Sequence, residues 1–477
     1  MRSYETALKC LNELQTNYSV IESLHKQWSQ FKQKRNAELM PEMFEWVRRS
    51  GYKPTDFDPL NVIHVTGTKG KGSTCAFVQS ILINSNKHKV GLYTSPHLVS
   101  VRERIMINGT PISREKFQQY FFDVFDKLSA STSDTTKFPA LAEGTKPMYF
   151  RFLTLMSLHA FLQEKVDSAI YEVGIGGEYD STNVFPHPKA CGISSLGIDH
   201  VQILGNTIEE IAWNKSGIFK ENCPAYSVNQ PEKALDVLKR RAEEKKVSKF
   251  EVVDVHPEIE ELSRTSKLGL RGKFQAINAT LACYLAAERL GITFNSTTEL
   301  PLLFKKALMD ASWPGRCQRI KTLNPSTSAE IDWFLDGAHT YESLEVAAEW
   351  FAENANLNEP ITLVFNQQKR DNVDDLLTEL SNTLKKSGVN IKKAVFTTNK
   401  TTEEGYDAEL VSHNVSKETV DGLTIQLRLA EVWQKLNPNC DVKVCKSLEN
   451  VINEVDGQVF ATGSLLMVGG LLSLMKQ

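Results

Sequence analysis

The sequence VIHVTGTKGKGST, residues 62–74, decides the fold, because a β-rich apolar run passes directly into a glycine-rich turn. Apolar residues at Ala76, Val78, Ile81 and Leu82 then predict a helix after the turn. A strand, a glycine-rich turn and a helix in this order suit a phosphate, because glycines let the backbone wrap it and the helix start offers N–H groups. The stretch therefore predicts an anion site.

Lys71 adds a full positive charge to this loop, and Ser73 or Thr74 offers a hydroxyl to a phosphate or its metal. The loop departs from the GxxxxGK[ST] pattern, because Val65 stands at the first glycine position and Gly72 follows Lys71. This departure weakens a generic nucleoside triphosphatase interpretation, and a glycine-rich turn with an exposed lysine is the alternative. The predicted phosphate-binding residues are Gly67, Thr68, Lys69, Gly70, Lys71, Gly72, Ser73 and Thr74.

Short β-rich runs alternate with helical patterns along the chain, which is typical of a parallel α/β sheet. The predicted strands are Val62–Val65, Val90–Tyr93, Ala169–Val173 and Cys191–Ser195, with helices at Tyr149–Lys165 and Phe274–Leu290. We expect an N-terminal P-loop ATPase-like domain with a mainly parallel sheet and a smaller C-terminal Rossmann-like α/β domain.

The 477 residues exceed what one hydrophobic core usually supports. The segment SWPGR, residues 312–316, ends a helical pattern and precedes strands predicted at Ile331–Leu335, Ile361–Phe365, Lys393–Thr397 and Val459–Ala461. We therefore expect a domain at 1–311, a hinge at 312–317 and a second domain at 318–477. Residues 129–147 are rich in Ser, Thr, Pro and Gly and predict a surface loop.

Composition excludes several classes of protein. The formal charge of −3 provides no field that would draw the chain to nucleic acid or anionic lipid. The eight cysteines lack the spacing of a disulfide framework or a zinc site, which favours reduced thiols in a cytoplasmic protein. The N-terminal residues resemble neither a signal peptide nor a transit peptide, and the longest apolar run, Leu465–Met475, is too short to span a bilayer.

Several polar residues stand where a parallel α/β sheet places its ligands. Glu172 ends an apolar run, and a carboxylate at the carboxyl end of a parallel strand faces the ligand crevice. Taken alone, it is by default an ordinary strand-end acid. Lys215, near the end of a predicted helix, by default is a solvated lysine that favours the helix dipole. Arg316 and Asp336 lie at turns, where a surface ion pair is the plain alternative, and Arg104 alone is a strand-surface arginine.

Eight segments in order resemble folylpolyglutamate synthases, a branch of the Mur ligase superfamily. They are HVTGTKGKGS, YTSPHLVSVRERIMINGTPIS, YFRFLTLMSLHAFL, EVGIGGEYDSTNV, SLGIDHVQILGNTIEEIAWNKSGIFK, WPGR, LDGAHT and TGSLLMVGG. The resemblance implies an ATP-dependent ligase that adds L-glutamate to the γ-carboxylate of a reduced folate. It also implies an acyl-phosphate intermediate and the products ADP, phosphate and a folylpolyglutamate.

The resemblance also implies a metal site and roles for residues of both domains. It assigns Mg²⁺ to Ser95, Glu172 and His200, a carbamylated side chain to Lys215, and allows a monovalent cation such as K⁺. Further implied nucleotide contacts are Arg316 at the phosphates, Asp336 at the ribose and Asn278 at the adenine. His339 and Ser464 match positions tied to activity, which we place at the incoming glutamate, and Arg104 is our candidate for a folate carboxylate.

The predicted catalytic residues are therefore Lys71, Lys215, Arg316 and His339. A dihydrofolate synthase, which acts on dihydropteroate, shares this fold and chemistry and is the nearest alternative. A noncatalytic nucleotide-binding regulator and a Mur-type cell-wall ligase are more remote. We expect a monomer in the cytoplasm that takes ATP, glutamate and folate as small-molecule substrates, with no nucleic acid partner.

Overall fold

A computed structural model describes residues 2–15, 36–368, 372–411 and 417–475. The chain divides into two compact units. The first comprises residues 1–97 and 102–312, and the second comprises residues 98–101 and 313–477. The assignment of functions to these units, and of a hinge to residues 312–317, stays a prediction.

In the described part of the first unit, eight strands form one sheet. They are β1 (Ile63–Thr66), β2 (Val90–Tyr93), β3 (Ile105–Ile107), β4 (Thr110–Pro111), β5 (Ser168–Glu172), β6 (Ala190–Ile193), β7 (Pro224–Val228) and β8 (Lys249–Val253). Their order is β4-β3-β2-β5-β1-β6-β7-β8. The pairs from β2 to β8 are parallel, and the short β3 and β4 add an antiparallel edge.

Helices cover both faces of this sheet. They are α1 (Tyr4–Glu13), α2 (36–49), α3 (Lys71–Asn84), α4 (Arg114–Ala130), α5 (Tyr149–Gln163), α6 (Val201–Leu204), α7 (Ile208–Lys215), α8 (Glu232–Glu244), α9 (Pro257–Arg264), α10 (Gln275–Leu290) and α11 (Leu302–Asp310). Short 3-10 helices occupy Pro54–Leu60, Val101–Arg104 and Ser216–Ile218. Successive side chains of a strand point to opposite faces of the sheet. Cys191 of β6 accordingly belongs to the core formed with α7 and α8, whereas the next residue, Gly192, lies against Leu285 of α10.

In the second unit, six strands within the described residues form one sheet. They are β9 (Gln318–Leu323), β10 (Glu330–Leu335), β11 (Ile361–Phe365), β12 (Ile391–Thr397), β13 (Asp441–Cys445) and β14 (Gly457–Thr462). Their order is β13-β12-β11-β14-β10-β9. Only the edge pair β9–β10 is antiparallel among the pairs described.

The second sheet also carries helices on both faces. They are α12 (Tyr341–Asn354), α13 (Val373–Lys386), α14 (Lys417–Asp421), α15 (Thr424–Leu436), α16 (Leu448–Glu454) and α17 (Leu465–Met475). Phe334 and Phe351 belong to the core under α12, α13 and α15, and Trp333 belongs to the opposite core under α16 and α17. Leu98 packs in that opposite core, which is why residues 98–101 cluster with this unit.

The predicted α/β class is confirmed, and the predicted strands lie within about two residues of the observed ones. The apolar run at the C-terminus is the helix α17. Among the described residues, none of the helices combines the length and the hydrophobicity needed to cross a membrane.

Candidate active site

The loop between β1 and α3 is held by the two residues that follow the neighbouring strand β6. Thr68 and Lys69 donate their backbone N–H groups to the carbonyl oxygen of Ser195, at 2.9 and 3.0 Å. The Ser194 hydroxyl donates to the carbonyl of Lys69 at 2.6 Å. These contacts, made just after β6 ends, fix the loop at the carboxyl edge of the sheet, where parallel sheets bind ligands.

Helix α10 packs against the first turn of α3. The Gln275 amide donates to the Ser73 hydroxyl at 3.2 Å, and the Asn278 amide donates to Gln275 at 3.0 Å. Gly70, the N-cap of α3, has φ of 84°, and a β-carbon there would collide with the Asn278 side chain. The structure therefore brings Asn278, chosen from sequence, to the phosphate loop, and adds Gln275, which sequence reasoning missed.

Two lysines converge on one backbone oxygen of the loop. Lys71 donates to the carbonyl of Gly67 at 3.0 Å, and Lys215 donates to the same oxygen at 2.7 Å. Lys215 is only 3% exposed, so the default expectation of a solvated lysine is wrong. Burial, and then the positive charge of Lys71, hold the pKa of Lys215 well below its usual value.

The turn after β5 lies against the end of α7. Gly177 donates its N–H to the Asn214 side chain at 3.0 Å, and Glu178 donates to the Asn214 carbonyl at 2.7 Å. A β-carbon on Gly177 would lie 2.5 Å from the carbonyl oxygen of Lys215, so this approach requires glycine. Asn214 thus ties the glycine-rich turn to the helix that carries Lys215, a role that sequence reasoning did not identify.

Ser95 and Glu172 meet at the carboxyl ends of the paired strands β2 and β5. The Ser95 N–H donates to Glu172 Oε2 at 3.0 Å, and Glu172 is buried. His200 is exposed and starts α6 with φ of 50°, next to Asp199, which lies 4.0 Å from the Lys69 amine. Within the described part of the chain, no three His, Cys, Asp or Glu side chains form a metal-binding group.

The oxygen donors of Ser95 and Glu172 fit Mg²⁺, which prefers oxygen and takes few protein ligands beside phosphates and water. Glu172 is a buried carboxylate at a strand end beside the phosphate loop, since β5 pairs with β1. The donor set is therefore compatible with a magnesium ion that accompanies a nucleotide.

Arg104 is buried and oriented rather than lying on a strand surface. Its Nε donates to His97 Nδ1 at 2.9 Å, and its guanidinium lies 5.4 Å from the centre of the Tyr149 ring. His97 and Arg104 are each at most 9% exposed. The alternative of an ordinary surface arginine is wrong, because both its partners fix the guanidinium.

In the second unit, Asp336 closes a turn after β10. Its carboxylate accepts the N–H groups of Cys317 at 2.7 Å and Ala338 at 2.8 Å. Burial raises the pKa of Asp336, although the neighbouring Arg316 charge and the Cys317 N–H oppose this shift. The turn thus gathers Arg316 and Asp336, two residues chosen from sequence, at the carboxyl edge of the second sheet.

His339 and Ser464 follow strands β10 and β14, which pair directly. The His339 ring donates from Nδ1 to the Gly337 carbonyl at 2.9 Å, which sets its tautomer. The Ser464 hydroxyl contacts the Asn399 side chain at 3.2 Å and accepts the Met467 N–H at 3.2 Å.

Four amide side chains, which we call the amide cluster, adjoin Ser464 and were missed by sequence reasoning. Asn366 donates to Asn399 at 2.8 Å, Gln426 donates to Asn366 at 3.0 Å, and Asn399 donates to Gln368 at 3.1 Å. No sequence signal joins them, because they come from three separate elements. Their members are Asn366, Gln368, Asn399 and Gln426.

Fold and site together define a class: a P-loop nucleotide-binding α/β protein with a second, Rossmann-like unit. Sequence comparison with known proteins then identifies the family within this class. A folylpolyglutamate synthase of Saccharomyces cerevisiae strain FostersO is 44% identical over 99% of this chain and 86% of its own length. The chain belongs to the folylpolyglutamate synthase family.

A family model and two solved structures also match the chain. The family model described as the C-terminal domain of dihydrofolate synthetase matches residues 318–474. Mycobacterium tuberculosis folylpolyglutamate synthase complexed with ADP and AMPPCP has a TM-score of 0.65 and 24% identity, covering 87% of this chain and 91% of that one. The Thermotoga maritima folylpolyglutamate synthase has a TM-score of 0.64 and 22% identity, covering 93% and 97%. At these identities the two solved structures establish the fold alone.

Proposed function

We propose that the protein adds L-glutamate to the γ-carboxylate of a reduced folate at the expense of ATP. The observation that carries this conclusion is the 44% identity to a folylpolyglutamate synthase across 99% of the chain, joined to an ordered phosphate loop beside a buried carboxylate. Residue roles are part of the same proposal.

The chemistry follows from the inertness of a free carboxylate toward an amine. The folate γ-carboxylate attacks the ATP γ-phosphorus, and the bond between that phosphorus and the bridging oxygen of ADP breaks. The resulting acyl phosphate is attacked by the glutamate amine, which loses a proton as phosphate leaves and the amide forms. Both steps develop negative charge on oxygen, so fixed cationic donors accelerate them.

In the first unit, the loop N–H groups and Lys71 would bind the nucleotide phosphates. Lys71 already reaches across its own loop to Gly67, within the segment that would surround a phosphate. Ser95, Glu172 and His200 would hold Mg²⁺, which supplies charge neutralisation at the phosphates when bound. Asn278 would contact the adenine, supported by its position against Gly70.

In the second unit, Arg316 would contact the nucleotide phosphates and Asp336 the ribose. Asp336 is buried and fixed by two N–H donors, so its direction is set before a ligand arrives. His339 and Ser464 would bind the incoming glutamate. Arg104, in the first unit, would bind a folate carboxylate, supported by the contacts that orient its guanidinium.

We include carbamylation of Lys215 in the proposal. A neutral amine attacks CO₂ and loses a proton to give a carbamate, and burial favours the neutral amine because it lowers the Lys215 pKa. A carbamate would replace the amine beside the phosphate loop with an anion able to ligate a metal. A K⁺ requirement, a monomeric state and a cytoplasmic location also belong to the proposal. The location is supported by the eight cysteines, which all lie in the described residues and are all free thiols.

One assay tests the activity and separates the alternatives. Purified protein is incubated with ATP, Mg²⁺ and glutamate together with either tetrahydrofolate monoglutamate or dihydropteroate. The masses of the products are determined by mass spectrometry, and the ADP formed is measured in parallel. We expect glutamate-extended folate with tetrahydrofolate and little product with dihydropteroate. Product from dihydropteroate alone would identify a dihydrofolate synthase, and nucleotide binding without either product would favour the noncatalytic regulator.

A further inference from the structure

We propose that Asn399 is a positioning residue that turns the Ser464 hydroxyl into a hydrogen-bond acceptor for the incoming amino acid. The inference rests on the proposed function, in which Ser464 binds glutamate. Asn399 itself is not assigned a contact with substrate. Its role is to fix the proton of Ser464.

The argument starts from the hydrogen-bonding capacity of a hydroxyl, which has one donor and two acceptor positions. Ser464 Oγ donates to Asn399 Oδ1 at 3.2 Å and accepts the N–H of Met467 at 3.2 Å. Its only proton is therefore engaged, and one lone pair is left. A ligand group that contacts the remaining lone pair of Ser464 must therefore donate a hydrogen bond. An amine or ammonium can do so, whereas a carboxylate cannot.

Asn399 is itself held in one orientation. Asn366 donates to Asn399 Oδ1 at 2.8 Å, which adds a second donor to the oxygen that Ser464 uses. The Asn399 amide nitrogen donates to Gln368 at 3.1 Å, and Gln426 fixes Asn366 in turn at 3.0 Å. Reversing the Asn399 amide would place its nitrogen against the Asn366 nitrogen. With the other three amides oriented as described, Asn399 therefore presents an oxygen toward Ser464.

The position of the amide cluster points to function rather than to folding. Asn366, Asn399 and Ser464 follow β11, β12 and β14, three adjacent strands, at the carboxyl edge where α/β sheets bind ligands. Gln426 is fully buried, and its Oε1 has no partner within the described residues. Buried polar groups left partly unsatisfied cost stability, and a functional role is one explanation for such a group in a native structure.

The first test is Asn399→Ala, assayed as initial rates against glutamate and against ATP. Loss of a hydrogen bond that orients a binding group should raise KM for glutamate roughly five- to tenfold. KM for ATP should stay within about twofold, a split that general damage to the fold would not produce. The matched control is Asn324→Ala, which removes a buried amide that donates to the Ile452 and Val455 carbonyls ahead of β14. That control should leave KM for glutamate unchanged.

The second test asks whether Asn399 acts through Ser464. If it does, Asn399→Ala adds no further rise in KM to that of Ser464→Ala, because its target is already gone. The proposal would be overturned if the fold-increase in KM for glutamate in the double variant equalled the product of the fold-increases in the two single variants. Equal KM increases for ATP and glutamate in Asn399→Ala would overturn it as well.

A second pair of substitutions keeps the test decisive if Asn399→Ala folds poorly. Asn399→Asp retains acceptor oxygens for Ser464 and Asn366, whereas Asn399→Leu fills the space without an acceptor. KM for glutamate should be near the wild-type value in the first and raised in the second. Equal KM values in these two variants refute the acceptor role. If the wild-type protein adds no glutamate to a folate at all, that result refutes the proposed function instead.

Discussion

The Lys215 amine donates to the carbonyl oxygen of Gly67 at 2.7 Å, across 148 residues of chain. Gly67 is the first residue of the phosphate loop after β1, so the last residue of α7 contacts the loop directly. This hydrogen bond predicts that replacing Lys215 lowers kcat, whereas replacing a surface lysine would not.

Lys215→Ala should reduce kcat on the order of a hundredfold or more at neutral pH, because under the proposed mechanism it removes an oriented group beside the transferring phosphate. The unfolding temperature should not fall through loss of charge, because burial disfavours the Lys215 cation in the folded state. Turnover and thermal melting of the purified variant check both statements. Lys233→Ala removes an exposed lysine of α8 and is the control. Wild-type turnover in Lys215→Ala would contradict a role at the site.

Gly70→Ala should abolish most nucleotide binding. A β-carbon at Gly70 collides with the Asn278 side chain, so either the loop or α10 must move. Gly144→Ala is a close control, because Gly144 has φ of 78° against 84° for Gly70 and open space around its β-carbon position. Both substitutions carry the backbone strain of a left-handed alanine, about 1–2 kcal/mol.

Titration with a fluorescent ATP analogue measures the difference between these two glycine variants. Gly144→Ala should bind the analogue as the wild-type protein does, with a slightly lower melting temperature. If both variants lose binding equally, backbone strain rather than contact with Asn278 explains the requirement for glycine.

Much of the fold could be predicted because it depends on local pattern. The strands at Val90–Tyr93 and Ile361–Phe365 match their predicted bounds, since each is a short buried apolar run. The edge strand β9 was missed, because its residues alternate between exposed and half-buried and four of the six are polar. Antiparallel β3 and β4 are too short to leave a pattern.

The site was predictable only where a motif carries it. The phosphate loop is continuous in sequence, and its neighbours Ser95 and Glu172 were available through family resemblance. The burial of Lys215 depends on packing against Gly177 and Gly67, which the helix sequence alone does not encode. Asn399 contacts residues 33 and 65 positions away, Asn366 and Ser464, so only the folded chain reveals the amide cluster.

Arg316→Ala should lower kcat about 10²- to 10³-fold, the usual effect of removing one donor aimed at developing charge. The fold should persist, because Asp336 keeps its two backbone N–H donors. Stopped assays of ADP release and a melting curve check these outcomes. Arg319→Ala is the matched control, since Arg319 lies three residues away on β9, is half exposed and pairs with Asp332. An Arg316→Ala enzyme as active as the control would count against the assignment.

Glu164 should make stability depend on acid pH in the first unit. Burial disfavours its ionised form, but hydrogen bonds from Lys116, Tyr120 and Lys89 outweigh this effect and lower the Glu164 pKa to about 2. The ordinary value is 4.5, so the carboxylate binds fewer protons in the folded chain than in the unfolded chain between these two values. Its stabilisation is therefore complete above pH 4.5 and is lost as the pH falls toward 2.

Glu164→Gln should lower the free energy of unfolding at pH 7 by roughly 2 kcal/mol, the scale of hydrogen bonds to a charged group. The gap between variant and wild type should shrink as the pH falls from about 5 toward 2, because the unfolded wild-type chain takes up a proton at Glu164 near pH 4.5 while the folded chain keeps the carboxylate ionised until about pH 2. Melting curves of both proteins across this range measure the gap. Glu143→Gln, which neutralises an exposed acid in the loop before α5, should show no such gap at any pH. A Glu164→Gln deficit that is constant with pH would mean that packing, not charge, accounts for the stabilisation.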